Sequence, residues 1–367
     1  MTPPFLVAKQ LKTLYDAVFV SQTVNEKVAK TLESQNFEVI NLNKHFYFTG
    51  SLLTLEGWFR SSDFEAPEKD PLVVNFSQCF LSNNDIYYAQ GPITFALDDM
   101  YPEMKKTHQF AYRLLKRFLL KRDKKFIQHL KSKTKTFVAN SKFCASMYER
   151  LGIKIDEIIY PPIDRKHFKP KTSHPANDYV LTYIGKETKY SILNTMAEFN
   201  IKIKAFGSKN RDIPKKIRKN PNIEILGKVT DAELVELFSN ALYTLFTFTH
   251  EPFGYIPVES MACATPVLTY NKQGPKESVV NNKTGWLVDD DEEMTKRAIK
   301  IWKEGYSTKI RKYCQERASE FDQKLIGEKW LSLLELSASS CVTKTATAPK
   351  EYSEAAERNR SQLCARK

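Results

Sequence analysis

The chain has no cysteine spacing suited to a disulfide framework or a metal cluster. Its six cysteines, Cys79, Cys144, Cys263, Cys314, Cys341 and Cys364, form no C-x-x-C pair, which predicts free thiols in a reducing cytosol. Long uncharged apolar runs are missing as well. The longest, around residues 237–249, is too short to span a bilayer. Lys9, Lys12 and Asp16 interrupt the apolar residues of the first twenty positions, which argues against a signal peptide or an anchor there. Glycine is scarce at 12 of 367 residues, and none precedes Gly50. No internal repeat is present.

What remains is an ordinary globular composition, 42% apolar and 27% charged, at a length that suits two domains. The formal charge of +13 is unevenly spread. Residues 101–135 hold twelve Lys or Arg against Glu103 and Asp123, a local balance of +10. Such a block predicts an anionic partner: a lipid surface, a nucleic acid or a polyanionic substrate. It lacks the glycine-spaced aromatics of an RRM and the spacing of a zinc finger, which disfavours nucleic acid. Within it, Leu114, Leu115, Phe118, Leu119, Phe126, Ile127 and Leu130 recur at helical intervals. They predict a helix packed by that face on the first domain, with Lys116, Arg117, Lys121, Arg122, Lys124 and Lys125 in water. All these charges are positive, which fits a cytoplasmic protein docking peripherally on the inner face of an anionic membrane.

Strand-like segments at 17–20, 37–42, 72–76, 85–88 and 136–139, with a helix at 24–34, predict a parallel α/β sheet. The double proline in Ile159-Tyr-Pro-Pro-Ile-Asp164 stiffens a crossing into a second α/β domain. There the pattern gives strands at 179–184, 201–206, 223–226, 241–248, 265–270 and 285–288, with helices at 190–199 and 231–239.

The most informative stretch is Thr249-His-Glu251-Pro-Phe253-Gly254-Tyr255-Ile-Pro257-Val-Glu259-Ser-Met-Ala262. A buried strand, a loop broken by Pro252 and Gly254, and a helix start present backbone N–H groups and a positive dipole end to an anion. Glu251 and Glu259 bracket that start. With Thr265-Pro-Val, Gly274-Pro-Lys-Glu277 and Thr284-Gly-Trp-Leu-Val288, the Glu-x7-Glu spacing resembles the signature of family-4 (group 1) retaining glycosyltransferases. The likeness covers residues 137–335 well and the first 136 poorly.

The resemblance implies the GT-B fold: two Rossmann-like parallel-sheet domains facing a cleft. Residues 1–160 would form the acceptor-side domain, with its first strand missing before a helix at 6–14. Residues 161–176 would be the linker and 177–310 the nucleotide-sugar domain. A helix over 311–336 would cross back, and 337–367 would be a disordered tail. It implies transfer from a nucleoside-diphosphate sugar to a lipid-linked, glycolipid or polysaccharide acceptor, with retention and without an essential metal or other cofactor. By matching position, Glu251 reaches the donor sugar and Glu259 the ribose. The amides of Phe253, Gly254 and Tyr255 face sugar and phosphate oxygens, Lys186 and Lys189 neutralise the diphosphate, and Val229 borders the base. The family's glycine-rich first loop has no counterpart before Gly50. That leaves an alternative, a nucleotide-sugar-binding protein or partner subunit without turnover.

Three local features complete the reading. Ala264 stands where the family has glycine, and a left-handed backbone there costs ~1 kcal/mol. Asp289-Asp-Asp291 spells a D-x-D metal motif, but its place before a helix predicts capping instead. His45 and His108 are candidate acceptor-side groups for which a solvated or core role is the plainer reading.

Overall fold

The computed structural model describes residues 2–48, 51–64, 71–104, 106–173, 175–185, 188–207 and 213–345. Met1–Gly327 form one compact unit and Glu328–Lys367 a second.

The chain opens with helix α1 (Thr2–Leu11), strand β1 (Val18–Ser21), helix α2 (Glu26–Glu33) and strand β2 (Glu38–Asn41). β1 and β2 pair in parallel. Asn25 starts α2 by accepting from the Lys27 amide at 2.9 Å. Then come α3 (Ser51–Phe59), β3 (Ser62–Asp63), β4 (Val74–Asn75), β5 (Phe80–Leu81), β6 (Asn84–Ala89), α4 (Ile93–Met100) and a 3-10 turn at Tyr101–Glu103. The first 160 positions end with α5 (Lys106–Ser132), β7 (Thr134–Ala139), α6 (Lys142–Glu149) and β8 (Glu157–Ile158). Strands β4, β6, β7 and β8 make one parallel sheet, and β3 pairs with β5. The described residues of this half therefore carry three small parallel sheets where the sequence pattern predicts one. β3, β4 and β5 are two residues long, too short to carry a ladder across.

Helix α5 is where the sequence predicts it, but its packed face differs. Tyr112, Leu119, Asp123, Ile127 and Leu130 are buried, whereas Leu114, Leu115 and Phe118 are exposed. The reason is helical phase. Leu114 lies about 160° around the axis from Tyr112, so the two cannot face one core. The helix's single acid, Asp123, turns inward and accepts from Thr94 N at 2.9 Å and Thr94 Oγ1 at 2.5 Å, at the start of α4. Burial holds its carboxyl above the usual range.

The second half runs β9 (Val180–Tyr183), α7 (Tyr190–Glu198), β10 (Ile203–Phe206), α8 (Lys215–Arg218), β11 (Ile223–Gly227), α9 (Asp231–Asn240) and β12 (Tyr243–Phe246). It continues with α10 (Tyr255–Ala262), β13 (Val267–Tyr270), α11 (Pro275–Ser278), β14 (Gly285–Val288) and α12 (Asp291–Glu304). All six strands pair in parallel in the order β11-β10-β9-β12-β13-β14. Val180, Leu181, Tyr243, Leu245, Val267 and Leu268 are essentially inaccessible, as expected of strands covered on both faces. The order reverses between β9 and β12. A parallel sheet opens a crevice outside the carboxyl ends of its strands at such a reversal.

After α12 the predicted single helix is two, α13 (Lys309–Ser319) and α14 (Gln323–Thr345). They are broken where Ile163 N–H donates to Phe321 O at 2.9 Å and Gln323 N–H to Ile163 O at 3.0 Å. α14 also runs on past Leu336, into the segment predicted to be a tail. Residues 346–367 lie outside the described residues.

A joint connects the two halves of the larger unit. The Glu277 carboxylate of α11 accepts from the Lys142 and Phe143 amides at 2.8 and 2.7 Å and from the Tyr160 hydroxyl at 2.9 Å. A carboxylate at a helix N-terminus answers orphan N–H groups and the dipole together. Beside it, Ser141 caps α6 by accepting from Cys144 N at 2.9 Å and donates to Pro252 O at 2.5 Å. Glu277→Ala should cost about 2–4 kcal/mol, the scale for losing charge-assisted hydrogen bonds, seen as a lower thermal midpoint. Glu277→Gln, which keeps one acceptor, should lose less. Equal midpoints for wild type and Glu277→Ala would remove the joint from the stability of the fold.

Candidate active site

Two loops meet at the strand-order reversal. One leaves β9 at Ile184 and Gly185, and the other leaves β12 and carries Glu251 to Gly254 into α10. Gly254 sits at φ +90°, in the left-handed region where a side chain is strained. The partner loop after β13 approaches so closely that a Cβ on Gly274 would lie 2.3 Å from Pro252 O. Gly274 N–H donates to Glu251 O at 3.0 Å and Glu251 N–H to Gln273 Oε1 at 2.6 Å. Glu251 is thus held by its backbone from the neighbouring strand. Its carboxylate accepts from Gly254 N at 3.0 Å and Phe253 N at 3.4 Å. Two of the three amides predicted to face a donor therefore already have a partner within the loop.

Glu259, one turn into α10, is different. It has no hydrogen-bond or ion-pair partner among the described residues, and it keeps an accessible edge. Burial by its surroundings, with Asp231 of α9 adding like charge, pushes its carboxyl up to about 7. Asp231 follows Thr230, which closes a capping box with Glu233. Val229, partly buried, packs against the apolar cluster that includes Leu181, Phe206 and Phe238. Glu259 and the 227–231 loop are therefore neighbours. Tyr255 Oη, near enough to feel the Glu259 charge, and Thr249 Oγ1, in the loop before Glu251, are buried with no hydrogen-bond partner. An unpaired carboxylate and unpaired hydroxyls cost free energy that a ligand rich in hydroxyls recovers.

Lys189 lies at the mouth of the same crevice with its charge engaged. Its ammonium contacts Asp291 at 2.8 and 3.2 Å and lies 4.9 Å from the centre of the Tyr270 ring. The Tyr270 hydroxyl donates to Asp291 at 2.6 Å. Asp290 caps α12 by accepting from Glu293 N at 2.8 Å, and Asp289 accepts from Asn271 at 3.0 Å. Each acid of the D-x-D run thus has a partner within the fold. Lys186 lies outside the described residues.

Sequence reasoning missed Asp99, His250, Lys272 and Gln273. His250 Nδ1 is 2.8 Å from Asp99 of α4. Gln273 Nε2 donates to the same carboxylate and to Thr249 O, both at 3.1 Å. Gln273 thereby ties the Glu251 loop to the first half of the chain. Lys272 lies 4.8 Å from the centre of the Tyr270 ring, and burial, with Lys189 nearby, lowers its pKa. The only sequence signal was the polar run Asn271-Lys-Gln273 after an apolar strand.

Residues 176–321 match the family described as Glycosyl transferases group 1. Over that segment the chain is similar to group 1 glycosyltransferases. Among curated relatives, mouse alpha-1,3/1,6-mannosyltransferase ALG2 is 34% identical over 70 residues, 19% of this chain and 17% of that protein. The capsular polysaccharide biosynthesis glycosyltransferase CapM of Staphylococcus aureus is 25% identical over 143 residues, 35% and 37% of the two chains. The matches thus span well under half the length of either relative. Among solved structures, Anabaena Alr3699/HepE in complex with UDP superposes at TM-score 0.63 with 16% identity, covering 91% of this chain and 96% of that one. Its complex with UDP-glucose gives 0.60, covering 92% and 95%. The fold is therefore GT-B across nearly the whole chain, including the first 136 residues where sequence likeness is poor.

The carboxyl of Glu259 gives the second half of the chain a pH signature. Its pKa is raised from 4.5 to about 7 on folding, so between those values the folded state binds the extra proton. Stability should therefore fall as pH rises from about 4.5 to 7 and level off above, by about 3 kcal/mol in all. Glu259→Gln should flatten that slope in denaturant titrations of the ligand-free protein. A slope unchanged by the substitution would mean that Glu259 titrates normally.

Proposed function

We propose that the protein moves a glycosyl unit from a nucleoside-diphosphate sugar to a hydroxyl of a lipid-linked, glycolipid or polysaccharide acceptor, with retention at the anomeric carbon. The observation that carries this is Glu259: a partnerless carboxylate, raised to about 7, at the strand-order reversal and eight positions after Glu251. Vicinal ribose hydroxyls can donate to both its oxygens. Val229, in the loop beside it, would border the base. The diphosphate would meet the start of α10, where first-turn amides lack intrahelical partners, together with Lys186 and Lys189. Lys189 would have to loosen its pair with Asp291 to do so, which makes it the weaker contributor.

Glu251 would receive the donor sugar's hydroxyls, releasing the amides of Phe253 and Gly254 toward sugar and phosphate oxygens. The acceptor would attack from the face the nucleotide leaves, and a donor phosphate oxygen would take its proton. Charge on the leaving diphosphate would be met by preorganised dipoles and cations without an essential metal. The solved relatives in complex with UDP and UDP-glucose support a nucleotide at this crevice, and the CapM and ALG2 likenesses support a glycan or lipid-linked acceptor.

Calorimetry with UDP, repeated near pH 7 in buffers of different ionisation enthalpy, tests the central element. Ribose hydroxyls favour the charged carboxylate, so binding should release a fraction of a proton and tighten as pH rises through 7. Glu259→Gln should abolish the release and weaken binding by about 1–3 kcal/mol. Glu251→Gln should leave UDP affinity nearly unchanged and lower turnover of a nucleotide sugar about 10²-fold. Chelator should leave turnover intact. Nucleotide binding without hydrolysis or transfer, across donors and acceptors, would favour a binding protein over an enzyme.

A further inference from the structure

A helix lying on a globular domain needs one apolar face, and α5 has two. The first is buried and includes Tyr112, Leu119, Ile127 and Leu130. The second consists of Phe110, Leu114, Leu115 and Phe118, which are 66, 69, 51 and 58% exposed. These positions stand at i, i+4, i+5 and i+8, so they form one stripe over two turns. Phe59 of α3, also exposed, stacks on Phe118 at 6.4 Å and widens the stripe. Scattered exposed apolar residues are ordinary, but a contiguous ridge marks an interaction surface.

The charge around the ridge identifies what covers it. Arg113, Arg117, Lys121, Lys124 and Lys125 are exposed and have no ion-pair partner among the described residues. At 100° per residue, Lys121 and Lys125 fall along the Phe110–Leu114–Phe118 line, and Arg113, Arg117 and Lys124 flank it on one side. Asp123, the helix's only acid, is turned away into the core. Other cations serve the fold. Lys116 pairs with Asp98 at 2.5 Å, and Arg122 donates to the carbonyls of Trp58 and Phe59 at 3.1 and 2.5 Å. No helix among the described residues is long and apolar enough to cross a membrane.

We propose that this face of α5 docks on an anionic lipid leaflet. Phe110, Leu114, Leu115 and Phe118 enter the acyl boundary with the helix axis parallel to the membrane plane, while Arg113, Arg117, Lys121, Lys124 and Lys125 meet headgroup phosphates. An apolar stripe edged by cations is what an interfacial helix requires. A second copy of the chain would set cations against cations across a two-fold contact. A nucleic acid would answer the charges but leave four apolar side chains against phosphate. The inference uses no feature of the donor crevice, so it stands or falls separately from the proposed transfer.

The test is co-sedimentation of the full chain with phosphatidylcholine vesicles, with and without phosphatidylserine. Wild type should bind only the vesicles containing phosphatidylserine, and less as salt rises. Combined Phe110→Ser, Leu114→Ser and Phe118→Ser should weaken that binding about tenfold or more at fixed salt. Arg117→Glu, Lys121→Glu and Lys125→Glu together should abolish it. All six side chains are solvent-facing, so both variants should melt as wild type does, and Arg122 is left intact because α3 leans on it. In a Phe118→Trp variant the added indole should be quenched by lipids brominated in the acyl chain. Wild type that ignores anionic vesicles, or a serine variant that binds as wild type does, overturns the proposal. So does self-association of the vesicle-free protein that the serine substitutions disperse.

Discussion

The carboxylate of Glu277 at the start of α6 is the contact on which the rest of the site depends. It joins the two halves of the larger unit by meeting two amides and a tyrosine hydroxyl at once. The chain from Gln273 to Glu277 then has little freedom. Gln273 and Gly274 grip the Glu251 backbone, and Arg317 donates to Glu277 O at 2.6 Å and to Ser278 O at 2.9 Å from the far side. One short segment thus fixes both the interdomain joint and the loop that carries the first signature acid. Such support from a neighbouring loop places the Glu251 carboxylate more tightly than a loop held only by its own turn would.

The two signature acids solve opposite electrostatic problems. Glu251 is satisfied within its own loop, accepting from two amides, and rests in a polar environment. Glu259 is left without partners in a site buried enough to lift its carboxyl to about 7. An isolated carboxylate in such a place is a cost to the ligand-free fold, and proteins keep such costs where a ligand relieves them. Ala264 belongs to the same account. At φ +64° it closes α10 in a left-handed turn, with Thr265 N–H donating to Ser260 O and Ala264 N–H to Met261 O, both at 2.9 Å. The ~1 kcal/mol strain of a side chain there is offset locally, since Arg311 donates to Ala264 O at 3.2 Å and Ala241 O at 2.6 Å.

The second half was legible because its strands are buried on both faces. Uninterrupted apolar runs such as Ala241–Phe248 leave one reading, and proline, glycine and capping residues mark their ends. That the Asp289-Asp-Asp291 run serves the start of α12 followed from position alone, and the structure shows Asp290 to be the cap. In the first half the two long strands β6 and β7 are largely buried and were found, but β3, β5 and β8 are two residues long, too short for periodicity to show them or the grouping into separate sheets. α5 shows why periodicity alone falls short. Its apolar residues do recur at helical spacing, yet they belong to two stripes, and no single stripe can be assigned to a core from spacing without knowing which neighbours arrive. Lys189 shows another limit. A basic residue at the right offset says nothing of Asp291, which reaches it from 102 positions away.

Gln273 is the last link that sequence could not supply, and it couples site geometry to the two halves of the fold. One end of its amide accepts from Glu251 N, and the other donates to Asp99 of α4. Asp99 is shared with His250, whose side chain is 7% exposed. Rotation of the first half away from the second would strip both His250 and Gln273 of this partner, and the largely buried His250 side chain could not reach full hydration while the loop stayed closed. Polar groups denied a partner in a buried place are costly, so the loop would have to rearrange with the domains. Gln273 also stands at φ +56°, a conformation that persists only while its surroundings hold it. The position of the first half and the seat of Glu251 are therefore coupled through one amide.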